Sequence, residues 1–267
     1  MMSGRGPRTK VIVISMADAA ERRRRFHDRA QGAAVEWGFF SAHTSLHPAL
    51  MYDEQDAIVA SGRPLRPGEL GVFSSHYAAW EDLLSDDADQ YVVLEDDVIV
   101  DWAFLGKLVQ VDLAAVGINY LRLYYKLPVR TAVVKENFIE RARWIVELDG
   151  TAFGAQGYVI TRAGARILLD HCRIVSRPVD DTMDRSWVHG LPNLSVFPFP
   201  IMEESGASMI GTARFEAFTI PRNLKLKRFV THRWERWRRD ASTVIRRLQR
   251  FRARRQARIG AGTDKPN

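Results

Sequence analysis

Seven residues, Tyr91-Val92-Val93-Leu94-Glu95-Asp96-Asp97, constrain this chain more than any other stretch. Four consecutive strand-forming apolar residues describe a strand buried on both faces, and the run is too short for a helix before the carboxylates begin. Such a strand belongs inside a helix-covered sheet, and its carboxylates then emerge where open α/β sheets bind ligands. Three adjacent carboxylates repel one another, so a cation among them is the economical explanation. On an extended strand end Glu95 and Asp97 project to one side and Asp96 to the other. Glu95 and Asp97 are therefore the expected ligands of one hard divalent ion, Mn²⁺ or Mg²⁺, which prefers oxygen donors and shares its shell with substrate phosphates. An exposed acidic turn is the plain alternative.

Composition narrows the classes. With 267 residues, 46% of them hydrophobic, the chain suits one large α/β domain with an appendage. Its formal charge of +7 suggests a nucleic-acid partner until it is divided along the chain. Residues 222–258 hold 15 Lys and Arg against 2 Asp and Glu, whereas residues 1–221 hold 23 against 29. The body is acidic and the tail alone is basic, so the net charge says nothing about what the body binds. No nucleic-acid module is recognised, and no nucleic-acid partner is expected. Cys172 is the single cysteine, which fits a reducing compartment. The apolar run Val11 to Met16 is closed by Asp18 and Glu21 and is too short for a secretion signal. No stretch approaches the ~20 apolar residues of a membrane span. A cytoplasmic protein is the expectation.

Along the chain, residues 1–9 are expected to be disordered. Val11 to Ile14 reads as an inner strand, and Asp18 as the cap of a helix starting near Ala19. That helix opens with Arg22 to Arg25. Four consecutive arginines cannot all face one way, so they are either a solvated face or supply one or two groups to a phosphate. Val35 to Phe40 reads as a short strand, Asp53 to Ser61 as a helix, and Phe73, Tyr77 and Trp80 share one face of another. Further elements are expected at Trp102 to Leu113 (helix), Tyr120 to Tyr125 (strand), Ala132 to Val146 (hairpin), and after Thr161, which caps a helix through Leu169. The small residues of Gly150 to Gly157 either let a chain pass beneath a ligand or mark tight packing. Asp180 and Asp181 precede an expected helix over Thr182 to Val188, as a cap or as a second acidic site. Leu194 to Phe197 is one more strand.

Taken in order, VIVISMADAAERRRRF, GELGVFSSHYAAWE, YVVLEDDVIV, GTAFGAQGYVITRAGARILL, RPVDDTMDRSW and FPFPIMEES resemble glycosyltransferase family 25, the lipooligosaccharide galactosyltransferases and their collagen-modifying relatives. The resemblance implies a GT-A-type, Rossmann-like domain with a mixed central sheet over residues 10–221, followed by the tail 222–258 and a disordered end, 259–267. It also implies a nucleotide-sugar donor, UDP-galactose foremost, and a metal at a DxD-type motif reading Glu95-Asp96-Asp97. Ser15, Arg22, Glu69, Ser75, His76 and Asp96 are the implied donor contacts. A glycan or lipid-linked glycan is the implied acceptor. The chain departs from the family pattern at Ser15-Met16, Val72 and Glu203-Glu204.

Transfer from a nucleotide diphosphate sugar needs a cation for the departing diphosphate and, on the opposite side of the sugar, a base for the acceptor hydroxyl. Asp181 is the expected base, with Asp180 next, and such a single displacement inverts the anomeric carbon. In the tail, Trp234, Trp237, Ala241, Val244, Leu248 and Phe251 follow helical spacing. The stripe either packs on the body, pairs as a coiled coil, or enters an anionic membrane surface. In the last case Arg236, Arg238, Arg239, Arg246, Arg247, Arg250, Arg252, Arg254 and Arg255 meet the lipid, and the protein is peripheral on the cytoplasmic face of the inner membrane. A binding protein that keeps the fold without turnover is the rival to an enzyme.

Overall fold

Alternation along two parallel strands sets the layers. In β1 (Thr9–Ser15), Ile12 and Ile14 enter one core and Val11 and Val13 the other; in the β4 strand (Gln90–Glu95), Tyr91 and Val93 oppose Val92 and Leu94 in the same way. Both faces are buried, as a period of two requires of an inner strand. The structure is a computed structural model that describes residues 6–204 and 218–261, with side chains through residue 251.

The remaining elements, in chain order, begin with α1 (Ala20–Arg29), β2 (Trp37–Ser41), β3 (Met51–Tyr52), α2 (Glu54–Ser61) and α3 (Pro67–Ser85). After β4 come β5 (Val98–Val100), α4 (Trp102–Leu108), β6 (Tyr120–Arg122), β7 (Arg130–Lys135), β8 (Trp144–Asp149), β9 (Gly157–Thr161) and α5 (Arg162–His171). The chain continues through β10 (Ile174–Val175), α6 (Val179–Asp184), α7 (Ser186–His189), β11 (Leu194–Phe197), β12 (Ile201–Glu203) and α8 (Arg222–Ala261). The main sheet has eight strands in the order β2-β1-β4-β9-β6-β11-β8-β7. Strands β2, β1 and β4 are parallel, β9 is antiparallel to both its neighbours, and β7 and β8 form the expected hairpin at the far edge. Helices α3 and α5 cover one face and α1 and α4 the other. The mixed α/β architecture is the one expected.

Local chemistry explains the boundaries. Asp53 accepts from Asp56 N and Thr161 from Gly164 N, so α2 and α5 begin at capped positions. Asp18 caps nothing, because α1 starts one residue later with Ala19 at its N-cap and only the Asp18 carbonyl engaged. Helix α4 stops short of Leu113 because the Gln90 side chain binds Val111 O and Leu113 N and draws that segment onto β4. The helix expected over Thr182 to Val188 is two short ones. Pro178, with its fixed φ, sits at the N-cap of α6, so Asp180 and Asp181 lie within its first turn. At the termini, β1 begins at Thr9 with Arg8 paired to Asp87, and α8 runs to Ala261; residues 1–5 and 262–267 lie outside the described residues. So does the Ser205 end of the proline-rich motif.

One buried polar network ties four segments together. Arg122 of β6, fully buried, donates to Asn193 Oδ1 (2.9 Å), Phe153 O (3.0 Å) and Gly154 O (2.5 Å). Its Nη2 lies 2.9 Å from Asp184 Oδ1, an ion pair whose angle is too bent for a hydrogen bond. Asp184 in turn accepts from Asn193 Nδ2 (2.7 Å) and Phe153 N (2.7 Å). Removing one member leaves a buried charge without its partner, so Asp184→Ala should cost about 3–5 kcal/mol in urea denaturation.

Candidate active site

Strand order reverses direction at β1, with β2 on one side and β4 on the other, and ligands of open α/β sheets bind at such a switch point. Here Ile14 pairs with Glu95, so Ser15 and the acidic turn stand side by side at the strands' C-terminal ends. Above them lies a cavity of about 670 Å³, a volume suited to a small ligand. Its walls come from α1, residues 42–44, the start of α3, Ala155-Gln156, Pro178–Asp180 and Glu203-Glu204. Helix α3 can approach residue 43 closely because Gly71 has no side chain: a Cβ there would stand 2.6 Å from His43 O.

The acidic turn divides as its alternation predicts. Asp96 is buried on the α1 side, where it accepts from Ser15 Oγ (2.6 Å) and faces Arg22 Nη1 at 3.2 Å. Burial raises its carboxyl pKa, and the Ser15 bond and Arg22 offset part of that rise. Of the four arginines, Arg22 and Arg25 line the cavity, Arg23 binds Ser15, and Arg24 pairs with Glu21 outside it. Glu95 turns the other way, its Oε1 3.4 Å from His76 Nε2. His76 is fully buried, its Nδ1 2.9 Å from the Tyr158 hydroxyl, which accepts from Trp80 Nε1 at 2.8 Å. An indole N–H only donates, so the tyrosine hydroxyl accepts from Trp80, while His76 Nε2 faces Glu95 without a hydrogen bond.

Asp97 is the exposed question of the turn. Its Oδ1 is buried without a hydrogen-bond partner, and burial, then the charges of Glu95, Asp96 and Glu203, push its carboxyl up to about 7. The nearby Arg22 charge offsets only part of that rise. Among the described residues no three His, Cys, Asp or Glu side chains converge into a ready-made cage. Glu95 and Asp97 offer two carboxylates, oxygen donors of the kind Mn²⁺ or Mg²⁺ would take, and the partnerless Oδ1 of Asp97 is the observation in favour.

Two of the expected donor contacts already have structural duties. Glu69 caps α3 by accepting from Arg66 N (2.9 Å) and binds Arg63 through both oxygens (2.7 and 2.6 Å). Ser75 accepts from His43 N and donates to Gly71 O, so it holds the cavity wall. The two members of the second acidic pair point in different directions. Asp180 lines the cavity, its carboxylate accepting from Gly154 N (3.3 Å) and Asp181 N (2.9 Å). Asp181 lies outside the lining, 3.0 Å from Arg177 Nη1, because successive residues of a helical turn point in different directions. Sequence reasoning overlooked Arg66, Lys126 and Gln156 on the wall, and Arg122 and Asp184 beneath it. The signal for Arg122 was available: an arginine inside the apolar run Tyr120 to Tyr125 demands a buried partner.

The architecture is a mixed α/β sheet with an acidic, arginine-lined cavity at the ends of its parallel strands. The model of glycosyltransferase family 25 (LPS biosynthesis protein) matches residues 8–183, and the chain belongs to that family. Human procollagen galactosyltransferase 2 is 31% identical over 118 residues, covering 41% of this chain and 18% of that protein. The human inactive glycosyltransferase 25 family member 3 is 31% identical over 172 residues, covering 60% and 28%. The lacto-N-neotetraose biosynthesis glycosyltransferase LgtE of Neisseria gonorrhoeae is 28% identical over 176 residues, covering 61% and 60%. The chain thus spans less than a third of the length of these human relatives. A solved glycosyltransferase involved in glycosylation of the major capsid of PBCV-1 aligns with 81% of this chain and 79% of that one at 11% identity, but its TM-score of 0.31 leaves the likeness without weight.

The state of Asp97 generates a pH prediction. Its folded pKa of about 7 exceeds the ordinary 3.8, so between these values the folded protein holds a proton that the unfolded chain releases. Metal-free stability should fall as pH rises through that window and level off above it. Asp97→Asn should remove that part of the slope, so its melting temperature should gain on the wild type from pH 5 to pH 8. Parallel curves would show that Asp97 ionises normally.

Proposed function

We propose that the chain is an inverting, metal-dependent hexosyltransferase that moves galactose from UDP-galactose to a hydroxyl of a glycan, the lipooligosaccharide core or another cell-surface glycan. The observation that carries this reading is the shared cavity: Glu95 and Asp97 with Arg22 and Arg25 on one wall, Asp180 on another. The first group suits a diphosphate. Glu95 and Asp97 would hold the divalent ion, which when bound would neutralise charge on the departing diphosphate. Arg22 and Arg25 add fixed positive charge there, Arg22 anchored by Asp96 and Arg25 within 3.6 Å of Glu204. His76, held through Nδ1 by the Tyr158 hydroxyl, stands beside Glu95 at 3.4 Å.

Asp180 is the proposed base. It accepts the proton of the acceptor hydroxyl as that oxygen attacks the anomeric carbon and the bond to the diphosphate breaks, so the configuration inverts. Its hydrogen bonds from Gly154 N and Asp181 N fix the carboxylate in position. Asp181 ranks second, since its carboxylate serves Arg177. We assign the enzyme to the cytoplasm, at the cytoplasmic face of the inner membrane, where a lipid-linked acceptor would meet it.

The rival is a chain that binds without turnover; human family member 3 is itself called an inactive glycosyltransferase. The acidic turn and Asp180, both present at the cavity, favour catalysis. Mn²⁺-stimulated release of UDP from UDP-galactose separates the two without knowledge of the acceptor; binding of the donor with no release under any metal would leave the rival. Within the catalytic reading, Asp180→Asn should lower transfer by about 10² to 10⁴ and leave donor affinity unchanged. Asp181→Asn should retain most transfer, and an Asp181→Asn enzyme that is folded but as inactive as Asp180→Asn would exchange the two roles. Asp97→Ala should abolish metal-dependent binding of UDP, measured by calorimetry.

A further inference from the structure

Helix α8 is amphipathic in the sense opposite to a helix that packs on a core. A surface helix ordinarily turns its apolar stripe inward. Here the inward face is largely polar beyond Leu224, which is buried against Ile58 and Val59 of α2. Arg228 donates to Ile58 O and Val59 O, Arg238 to Trp187 O, and Glu235 pairs with both Arg177 and Arg185. Further along, Arg246 and Arg250 pair with Glu147, and Thr243 and Arg247 with Asp149. Of the expected readings of the stripe, packing on the body is therefore excluded: the helix packs, but by its other side.

The outer face carries Leu226, Val230, Trp234, Trp237, Leu248 and Phe251, each between 53% and 72% exposed. At 1.5 Å per residue this stripe is about 38 Å long. Trp234 and Trp237 stack on one another at 5.0 Å. A continuous apolar surface of that length marks an interaction site. Charge decides the occupant. Exposed Arg233 and Arg236 flank the stripe, in a segment holding 15 basic residues against 2 acidic ones. A second copy would set two such cationic helices against each other. A lipid surface with anionic headgroups offers the complementary sign over a whole plane and accepts tryptophan at headgroup depth. No described helix is long and apolar enough to cross a bilayer, so the contact is one of lying in the interface.

We propose that the outer face of α8 docks the protein on an anionic lipid surface, with the tryptophans and aliphatic residues at the headgroup boundary and the flanking arginines on lipid phosphates. The side chains of Arg252, Arg254 and Arg255 lie outside the described residues and are not needed for it. Sugar transfer to a soluble acceptor uses none of these groups, so the docking surface and the transferase reading can fail separately.

The test is co-sedimentation of the full-length protein with phosphatidylcholine vesicles, with and without phosphatidylglycerol. Binding to the phosphatidylglycerol vesicles at low salt, release at high salt and no binding to phosphatidylcholine alone are expected. Arg233→Gln with Arg236→Gln should weaken partitioning about 25-fold, at about fivefold per arginine. Trp234→Ser with Trp237→Ser should abolish it, while UDP binding and circular dichroism stay as in the wild type. No sedimentation at low salt, equal binding to neutral vesicles, or wild-type binding by the tryptophan variant would each overturn the proposal. A dimer in analytical ultracentrifugation that the tryptophan variant dissociates, without vesicle binding, would give the face to a second copy.

Discussion

The buried pair of Arg122 and Asp184 is the constraint on which the cavity's geometry rests. A guanidinium and a carboxylate in an apolar interior are tolerated only when their remaining groups are satisfied, and these two divide that work among Asn193, Phe153 and Gly154. The result is a fixed relation between β6, the loop before β9, the end of α6 and the approach to β11. Gly154, held by Arg122 through its carbonyl, uses its N–H to hold Asp180. The proposed base is thus positioned from beneath by a charge that never meets the substrate.

The opposite wall is built differently. Ser15, Arg22 and Arg23 gather around Asp96, and Trp80, Tyr158 and His76 lead outward to Glu95. Two of the three consecutive carboxylates have neighbours that orient them, and the third, Asp97, carries the electrostatic penalty of their company. The unpaired oxygen is what a divalent cation would relieve.

How much of this could be read from the chain follows from the range of the forces involved. Strands β1 and β4, the β7–β8 hairpin, and the cap Thr161 were legible because alternation and capping are local. The insertion of β9 between β4 and β6 was not, since nothing within its five residues specifies either neighbour. The order of Asp180 and Asp181 was hidden for a similar reason. Adjacent residues of a helical turn diverge, and which one faces the cavity depends on Pro178 starting the helix and on Arg177, itself held by Glu235 some 58 positions later. For α8 the period revealed a stripe but not where the body lay, because arginines that satisfy carboxylates such as Glu147 reverse the usual preference.

Helix α8 joins parts of the fold that are far apart in the chain. Its first turns rest on α2, its middle on the segment from Arg177 to Trp187, and its later turns on β8. Loop closure over such separations is costly in chain entropy and is recovered only when the partners are already in place. The helix can therefore dock only on an assembled body. The seated helix is thus a local report that α2, the segment from Arg177 to Trp187 and β8 stand in their places together.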